Sequence, residues 1–224
     1  MKPLVRSLLA SALILAAGSA SAEALRIGYA DPVSSLDPQL NNYAGDRSVA
    51  LHAFESLVNR RDDKTLPGLA KSWKVLDDKT WEFALRDDVK WQDGKPLTAD
   101  DFVFSFERSR SVPGAVASYA GAMRTVESVQ AKDDHTLIIK TRTPNANLLP
   151  DVDSIYIVSR HVGANASSAD YNSGKAMVGT GPYRFVSYVP GDRTIFERNK
   201  DYYGDKPVWD NVDYRFIANA ASRT

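Results

Sequence analysis

The glycine-rich stretch MVGTGPYRF (177–185), with Thr180 and Gly181 at its centre, has the composition of a phosphate-binding loop. In nucleotide-binding proteins such a loop opens a helix, and it carries either a Lys-Ser/Thr pair or a third glycine at a fixed spacing. Here a proline and a tyrosine follow, and the next residues have the pattern of a strand. The loop is therefore not expected to bind a nucleotide, and its glycines indicate a tight approach of the backbone.

Two adjacent carboxylates, Asp100 and Asp101, have the chemistry of a general acid and base. They lie at the start of a predicted helix over 97–110, and Asp101 follows Thr98 by three residues. This spacing is a variant of the capping box, in which Asp replaces the usual Glu or Gln. Carboxylates are also favoured at the positive end of the helix dipole. Capping therefore explains the pair better than catalysis.

The three histidines (His52, His135 and His161) are far apart, and there is no cysteine. Neither the His-Glu-x-x-His spacing of zinc peptidases nor an EF-hand loop is present, so the sequence predicts no metal and no cofactor. It also lacks a Gly-x-Ser-x-Gly elbow, which favours a protein that is not an enzyme. A secreted α/β hydrolase stays an alternative, because catalytic triads are recognised by geometry and not by sequence position.

The charge of the chain is balanced, with 28 Lys and Arg against 28 Asp and Glu in 224 residues. Nucleic-acid-binding domains present a concentrated positive face, so no nucleic-acid partner is predicted. Four tryptophans, ten tyrosines and eight phenylalanines supply ample aromatic side chains for a buried core. Because a chain without cysteine has no disulfide, this core must provide the stability.

Residues 1–22 have the organisation of a secretory signal peptide. Lys2 and Arg6 precede an apolar run over 8–17, and an Ala-Ser-Ala pattern ends at Ala22. The run is too short to cross a bilayer, which requires about 20 apolar residues. We therefore expect cleavage after Ala22 and a periplasmic protein. With no cysteine at the cleavage site, no lipid anchor is predicted.

Hydrophobic periodicity predicts a mixed α/β fold that positions these residues. Strands are predicted at 24–30, 81–86, 155–158, 182–188, 194–198 and 211–218, with a strand–turn–strand unit at 126–141. Helices are predicted at 46–58 and 97–110, and a polar surface loop at 163–175.

Three segments in the same order resemble one family. They are SLDPQ (35–39), the stretch over 52–108 that begins HAFESLVNRR, and VGTGPYRFVSYVPGDRTIFERNKDYYGDKPVWDNVDYRFI (178–217). Together they are similar to the solute-binding proteins of peptide and oligopeptide ABC importers, known as extracellular solute-binding protein family 5. The resemblance extends over nearly all of 25–218, which makes it far more specific than a lone Gly-x-Gly.

The resemblance implies an α/β fold of the type II periplasmic-binding-protein kind, with two lobes around a cleft. Residues 23–54 and 178–224 would form the first lobe, and 55–177 an inserted β-rich region. Members of the family are more than twice as long, and their second main lobe would follow Thr224. The chain is therefore expected to be the N-terminal part of such a protein.

The implied function is capture of a peptide, or another small solute, in the cleft for delivery to an ABC permease in the inner membrane. The protein would act as a monomer, and a peptide would pair its backbone with exposed strand edges. The expected ligand-binding residues are Asp31, Pro32, Val33, Tyr43, Thr180 and Gly181. Each of them has a turn or packing role as its alternative. Nickel chelates, opines and oligosaccharides stay open as solutes, and so does a truncated remnant of the family that binds nothing.

Overall fold

The computed structural model describes residues 23–223. The predicted signal peptide (1–22) lies outside the described residues. Among the helices of 23–223, none is long and apolar enough to cross a membrane.

The described chain combines short strands and helices, with runs of consecutive strands between the helices. Its strands are β1 (Ala24–Tyr29), β2 (Val58–Arg61), β3 (Lys64–Pro67), β4 (Ala70–Asp77), β5 (Thr80–Leu85), β6 (Val126–Asp133), β7 (Thr136–Thr141), β8 (Tyr183–Val189), β9 (Arg193–Arg198) and β10 (Asn211–Phe216). Its α-helices are α1 (Ala44–Ala53), α2 (Ala99–Arg110), α3 (Leu148–Asp153), α4 (Arg160–Gly163) and α5 (Ser168–Asn172). Short 3₁₀ turns cover Tyr119–Gly121 and Ala220–Ser222.

The first sheet joins the two ends of the described chain. Its strand order is β1-β10-β9-β8, in which β1 and β10 are parallel and the other neighbours antiparallel. Tyr29 lies opposite Phe216, so the carboxyl ends of β1 and β10 meet at one edge. In α/β sheets that edge is the usual place for a ligand.

The second sheet is antiparallel throughout, with the order β4-β5-β7-β6. Phe83 and Leu85 of β5 are buried with Phe102 and Phe106 of α2, as the alternation of apolar residues in both elements predicts. This packing places α2 across one face of the sheet.

A second hydrophobic cluster lies between α1 and the first sheet. Val49 and Ala53 of α1 pack there with Phe196 and Val212 of β9 and β10. The segment 156–177, between the two sheets in sequence, also contributes buried side chains to this cluster. The predicted boundaries at 54 and 177 stay a prediction.

The predicted helix at 46–58 is wrong at its carboxyl end. The helix ends at Ala53, because Phe54 takes an extended conformation (φ −120°, ψ 152°) and Val58 begins β2. The apolar pattern continues past the helix because Leu57 and Val58 are themselves fully buried. Periodicity alone did not separate the helix from the buried segment after it.

Two further predictions between 155 and 175 are wrong. Residues 155–158 do not form a strand, and Tyr156 makes only an isolated bridge with Ser56. The predicted loop at 163–175 contains α5, which begins with a capping box of Ser167 and Asp170. The strand prediction followed apolar residues that are buried for tertiary reasons.

Candidate functional site

The loop after β1 lies on the first turn of α1. Asp31 and Pro32 are exposed and Val33 is half-buried. A Cβ at Gly45 would lie 2.7 Å from the Pro32 carbonyl oxygen and 3.0 Å from that of Asp31. Only glycine at this position therefore allows the loop backbone to approach the helix so closely.

The tripeptide 31–33 has backbone groups without partners. The carbonyl oxygen of Val33 accepts a hydrogen bond from the Tyr188 hydroxyl at 3.0 Å. Within residues 23–223, the Val33 N–H and the carbonyls of Asp31 and Pro32 have no hydrogen-bond partner. Unpaired main-chain groups at a strand end are what an extended peptide requires for β-type pairing.

Asp46 in the first turn of α1 fixes the residue after the tripeptide. Its buried carboxylate accepts hydrogen bonds from the Ser34 N–H at 2.6 Å and from the Ser34 hydroxyl at 2.5 Å. Burial raises the pKa of Asp46, and the hydrogen bonds from Ser34 oppose this. The position near the helix N-terminus also favours the ionised form. The side chain therefore ties the loop to the helix.

Tyr43 lies at the same end of α1. It is the N-cap residue, with extended backbone (φ −91°, ψ 148°), and its side chain is 44% exposed. An exposed aromatic ring beside a loop with free backbone groups is suited to contact with a ligand. The structure thus brings four of the six predicted residues, 31–33 and Tyr43, to one end of α1.

Thr180 and Gly181 lie at the other end of α1. The Gly181 N–H donates to the Ala53 carbonyl at 2.9 Å, and a Cβ on Gly181 would lie 2.7 Å from the Ala53 carbonyl carbon. Thr180 is only 1% exposed. The helix rises about 12 Å over the eight steps from Gly45 to Ala53, so Thr180 and Gly181 are separate from the other four predicted residues. Contact of Thr180 and Gly181 with a solute stays a prediction.

Sequence reasoning did not single out Glu55, which follows the carboxyl end of α1. Its Oε1 atom accepts hydrogen bonds from the hydroxyls of Tyr203 at 2.8 Å and Tyr202 at 3.0 Å. The Arg86 guanidinium lies 4.5 Å from the Tyr203 ring centroid. Burial raises the pKa of Glu55, and hydrogen bonding, first from Tyr203, opposes this. The signal in the sequence is an acidic residue inside the apolar stretch HAFESLV.

The carboxylate pair of α2 has the structural role that its spacing predicted. Asp101 completes the capping box with Thr98 and also accepts hydrogen bonds from the Trp91 indole at 3.2 Å and the Arg160 N–H at 2.8 Å. Asp100 forms an ion pair with Arg160 at 2.9 Å. The capping interpretation is confirmed.

The histidines are apart in the structure as well. His52 is buried and stacks on Phe196 with 5.3 Å between ring centroids. His161 Nε2 lies 2.6 Å from Asp93 Oδ2. Across residues 23–223, no group of three or more His, Cys, Asp or Glu side chains could hold a metal ion.

A polar groove of about 780 Å³ opens at the amino end of β10. Its lining includes Arg184, Arg198 and Asp210, and none of the six predicted residues. It lies at the opposite end of the strand from the tripeptide 31–33. The size of this groove therefore favours a ligand site at the amino end of β10, whereas the unpaired backbone groups of 31–33 favour a site where β1 and β10 end.

Residues 64–224 match the family "Bacterial extracellular solute-binding proteins, family 5 Middle", which is well over half of the chain. The chain belongs to this family. The identification agrees with the resemblance of SLDPQ and of the segments over 52–108 and 178–217, and it confirms that resemblance.

Curated relatives of this family 5 protein include two periplasmic oligopeptide-binding proteins OppA. The relative from Haemophilus influenzae is 30% identical over an alignment of 200 residues, and the match covers 77% of this chain and 35% of the relative. The relative from Escherichia coli K12 is 31% identical over an alignment of 214 residues, and the match covers 84% of this chain and 38% of the relative. The chain thus spans little more than a third of the length of these relatives.

Solved structures of the family have the same fold. Haemophilus influenzae OppA in complex with RPPGFSPFR matches with a TM-score of 0.80 and 29% identity, over 90% of this chain and 43% of that one. MoaA from A. tumefaciens R10 in complex with mannopinic acid matches with a TM-score of 0.79 and 28% identity, over 91% and 42%. The predicted mixed α/β fold of the type II periplasmic-binding-protein kind is confirmed.

Proposed function

We propose that this family 5 protein is the periplasmic solute-capturing component of a peptide ABC importer. It would bind an extended peptide in a cleft beside β1 and deliver it to a permease in the inner membrane, without chemical change to the peptide. It would act as a monomer, reach the periplasm by cleavage of residues 1–22 and carry no lipid anchor. Family membership and the names of the OppA relatives support the solute-binding role.

The tripeptide 31–33 is the observation that carries this proposal. It is accessible, it lies where two parallel strands end, and its Val33 N–H has no partner in the described chain. Main-chain pairing gives affinity that depends little on the side chains of the bound peptide. Tyr43 lies at the same end of α1 as the tripeptide, and its exposed ring could cover a residue of a peptide bound there.

The solute class is proposed as peptide, although one relative was solved with mannopinic acid. An opine of this kind lacks a run of peptide groups, so it cannot form a β-type ladder with the free groups of 31–33. An extended peptide has the main-chain groups that such a ladder requires. Thr180 and Gly181, which are buried at the other end of α1, would support this cleft more than touch its ligand.

Isothermal titration calorimetry of the purified chain with RPPGFSPFR and with mannopinic acid tests the proposal. We expect binding of the nonapeptide and no heat from mannopinic acid. Val33→Pro removes the free N–H and is expected to weaken nonapeptide binding about two- to tenfold, the value of one hydrogen bond. Val33→Ala keeps the N–H and is expected to bind more tightly than Val33→Pro.

Val208→Pro is the matched control, because Val208 is 76% exposed and lies before β10, at the far end of the first sheet from the tripeptide. Equal weakening by both proline substitutions would remove 31–33 from the site. A chain that unfolds cooperatively and binds neither compound would support the alternative that it captures nothing. Cleaved nonapeptide in the mass spectrum would support the hydrolase alternative.

A further inference from the structure

The segment after the tripeptide, residues 34–39, is held almost entirely by side chains. The Leu36 N–H donates to Asn172 Oδ1 at 2.7 Å, and the Gln39 N–H donates to Asp37 Oδ1 at 3.1 Å. The Asp37 N–H donates to the Ser35 hydroxyl oxygen at 3.0 Å. Buried backbone groups need hydrogen-bond partners, and here these are side chains, so the side chains decide where the segment lies.

Asp37 is the centre of this anchor. The carboxylate is 0% exposed and accepts a bidentate pair of hydrogen bonds from Arg108, at 3.0 and 2.7 Å. The Ser168 hydroxyl donates to the same carboxylate at 2.7 Å. A buried carboxylate with this many donors has one favourable position, and planar bidentate pairing fixes its orientation as well.

Arg108 holds a second residue of the segment. Its guanidinium donates to Gln39 Oε1 at 3.1 Å and lies 5.2 Å from the ring centroid of Tyr171. The Gln39 amide in turn donates to the carbonyls of Tyr156 at 2.8 Å and Ser105 at 3.1 Å. The Arg108 side chain is only 11% exposed, so water does not replace these contacts.

These partners belong to a different part of the chain from the tripeptide. Arg108 is on α2, whereas Asn172 and Ser168 are on α5. Both helices fall in the predicted inserted region (55–177). Ser34, directly after Val33, is tied to Asp46 of α1. The contacts with α5 begin at Ser35 and Leu36, and those with Arg108 of α2 begin at Asp37. A displacement of α2 or α5 therefore reaches the tripeptide through the backbone of residues 34–37.

We propose that Arg108, acting through Asp37, is a positioning residue for the solute-facing tripeptide 31–33. That the tripeptide faces the solute rests on the proposed function, whereas its positioning by Arg108 does not. A buried ion pair adds little net stability compared with apolar residues of the same size, although the loss of one partner alone is costly. The bidentate geometry, which fixes where Asp37 lies, is the property of the pair that acts on the loop.

Arg110 supplies a matched control on the same helix. Its guanidinium donates to the carbonyls of Met123 and Val126, both at 3.1 Å, and so ties α2 to β6 and not to the loop. Arg108→Met and Arg110→Met therefore remove the same charge from one helix, with three hydrogen bonds to side chains lost at Arg108 and two to backbone carbonyls lost at Arg110. Only Arg108→Met also removes the hydrogen bonds that hold residues 34–39.

NMR relaxation and amide hydrogen exchange on the full chain test the proposal. In Arg108→Met we expect the Val33 N–H order parameter to fall from a rigid value of about 0.85 to below about 0.6. We expect the Leu36 and Gln39 amides to exchange at least about tenfold faster. Arg108→Lys keeps the charge but loses the bidentate pair. Its order parameter and exchange rates should lie between those of the parent and those of Arg108→Met.

Arg110→Met should leave the Val33 order parameter and the exchange of 34–39 as in the parent. Equal changes in both variants, or none in Arg108→Met, would overturn the positioning role. The nonapeptide RPPGFSPFR provides a separate readout, because a positioning role predicts weaker binding in Arg108→Met than in Arg110→Met. If the parent binds no nonapeptide, the proposed function fails, and the NMR result still decides the positioning.

Discussion

The two ends of α1 carry the six predicted ligand residues in opposite environments. At the amino end, residues 31–33 and Tyr43 are accessible, and backbone groups lack partners. At the carboxyl end, Thr180 and Gly181 are buried against Ala53. Glycine-rich composition marked the second end in the sequence, whereas the accessible and unpaired backbone groups lie at the first end. Composition and accessibility therefore indicate different ends of α1 as the ligand site.

Gly179→Ala is expected to have the largest effect on stability, because it disrupts the close packing at the carboxyl end of α1. A Cβ at position 179 would overlap the Ala53 carbonyl group, and backbone on both sides leaves no room to move. We expect a loss of about 3 kcal/mol or more in the free energy of unfolding, measured in urea. Gly121→Ala, where a Cβ meets nothing within 4 Å, is the control and should change stability little. A small effect at 179 would contradict the close approach.

Glu55→Ala tests the polar contacts of the same end. It leaves the hydroxyls of Tyr202 and Tyr203 without their shared acceptor, which is expected to cost about 1–3 kcal/mol in the free energy of unfolding. Glu55→Gln tests the charge. Because the pKa of Glu55 is raised in the folded state, the parent loses stability as pH rises above the unfolded value of 4.5.

Urea unfolding of the parent and of Glu55→Gln between pH 4 and 7 measures this difference. The stability of the variant relative to the parent should increase with pH over that range. A constant difference would mean that Glu55 has the same pKa in the folded and unfolded chains.

His52, in the last turn of α1, gives a dependence in the opposite direction. Burial lowers the pKa of His52 in the folded protein, so the unfolded chain takes up the proton first as pH falls below 6.5. Stability should then fall by up to about 1.4 kcal/mol per pH unit, the limit for one proton. His52→Phe should remove this acid sensitivity, whereas His135→Gln at an exposed position should keep it.

Tyr43→Ala, at the accessible amino end of α1, is expected to have the smallest effect on stability. The exposed ring should contribute less than about 0.5 kcal/mol to the free energy of unfolding. Its contact with the nonapeptide predicts a measurable loss of affinity in the same calorimetric assay. A large loss of stability would place Tyr43 in the fold and not at an open surface.

Much of the fold was predictable because the spacing of buried residues follows the period of each element. In β5 the buried residues Phe83 and Leu85 are two apart, and in α2 the buried residues Phe102 and Phe106 are four apart. The hairpin of β8 and β9 was predicted from its Pro-Gly turn. The β2–β3 hairpin was not predicted. Asp62 and Asp63 take positive φ values of 50° and 61° there, a conformation that Asn-Gly would have signalled more clearly.

The site was less predictable, because it depends on contacts between distant residues. The anchor joins Asp37 to Arg108 and Leu36 to Asn172, pairs that no local pattern connects. The approach of Pro32 to Gly45 likewise depends on the angle at which α1 packs on the sheet. The resemblance to the family indicated the loop after β1, but only the structure shows which of its backbone groups are free.

The parallel pairing of β1 with β10 also has a consequence for biosynthesis. At about 5–20 residues per second, β10 leaves the ribosome about 10–40 s after β1. During that time β1 has no partner in its own sheet, whereas β4 to β7 already have all of theirs. The second sheet can therefore fold first, while β1 has an unpaired edge that another chain could pair with until β10 is made.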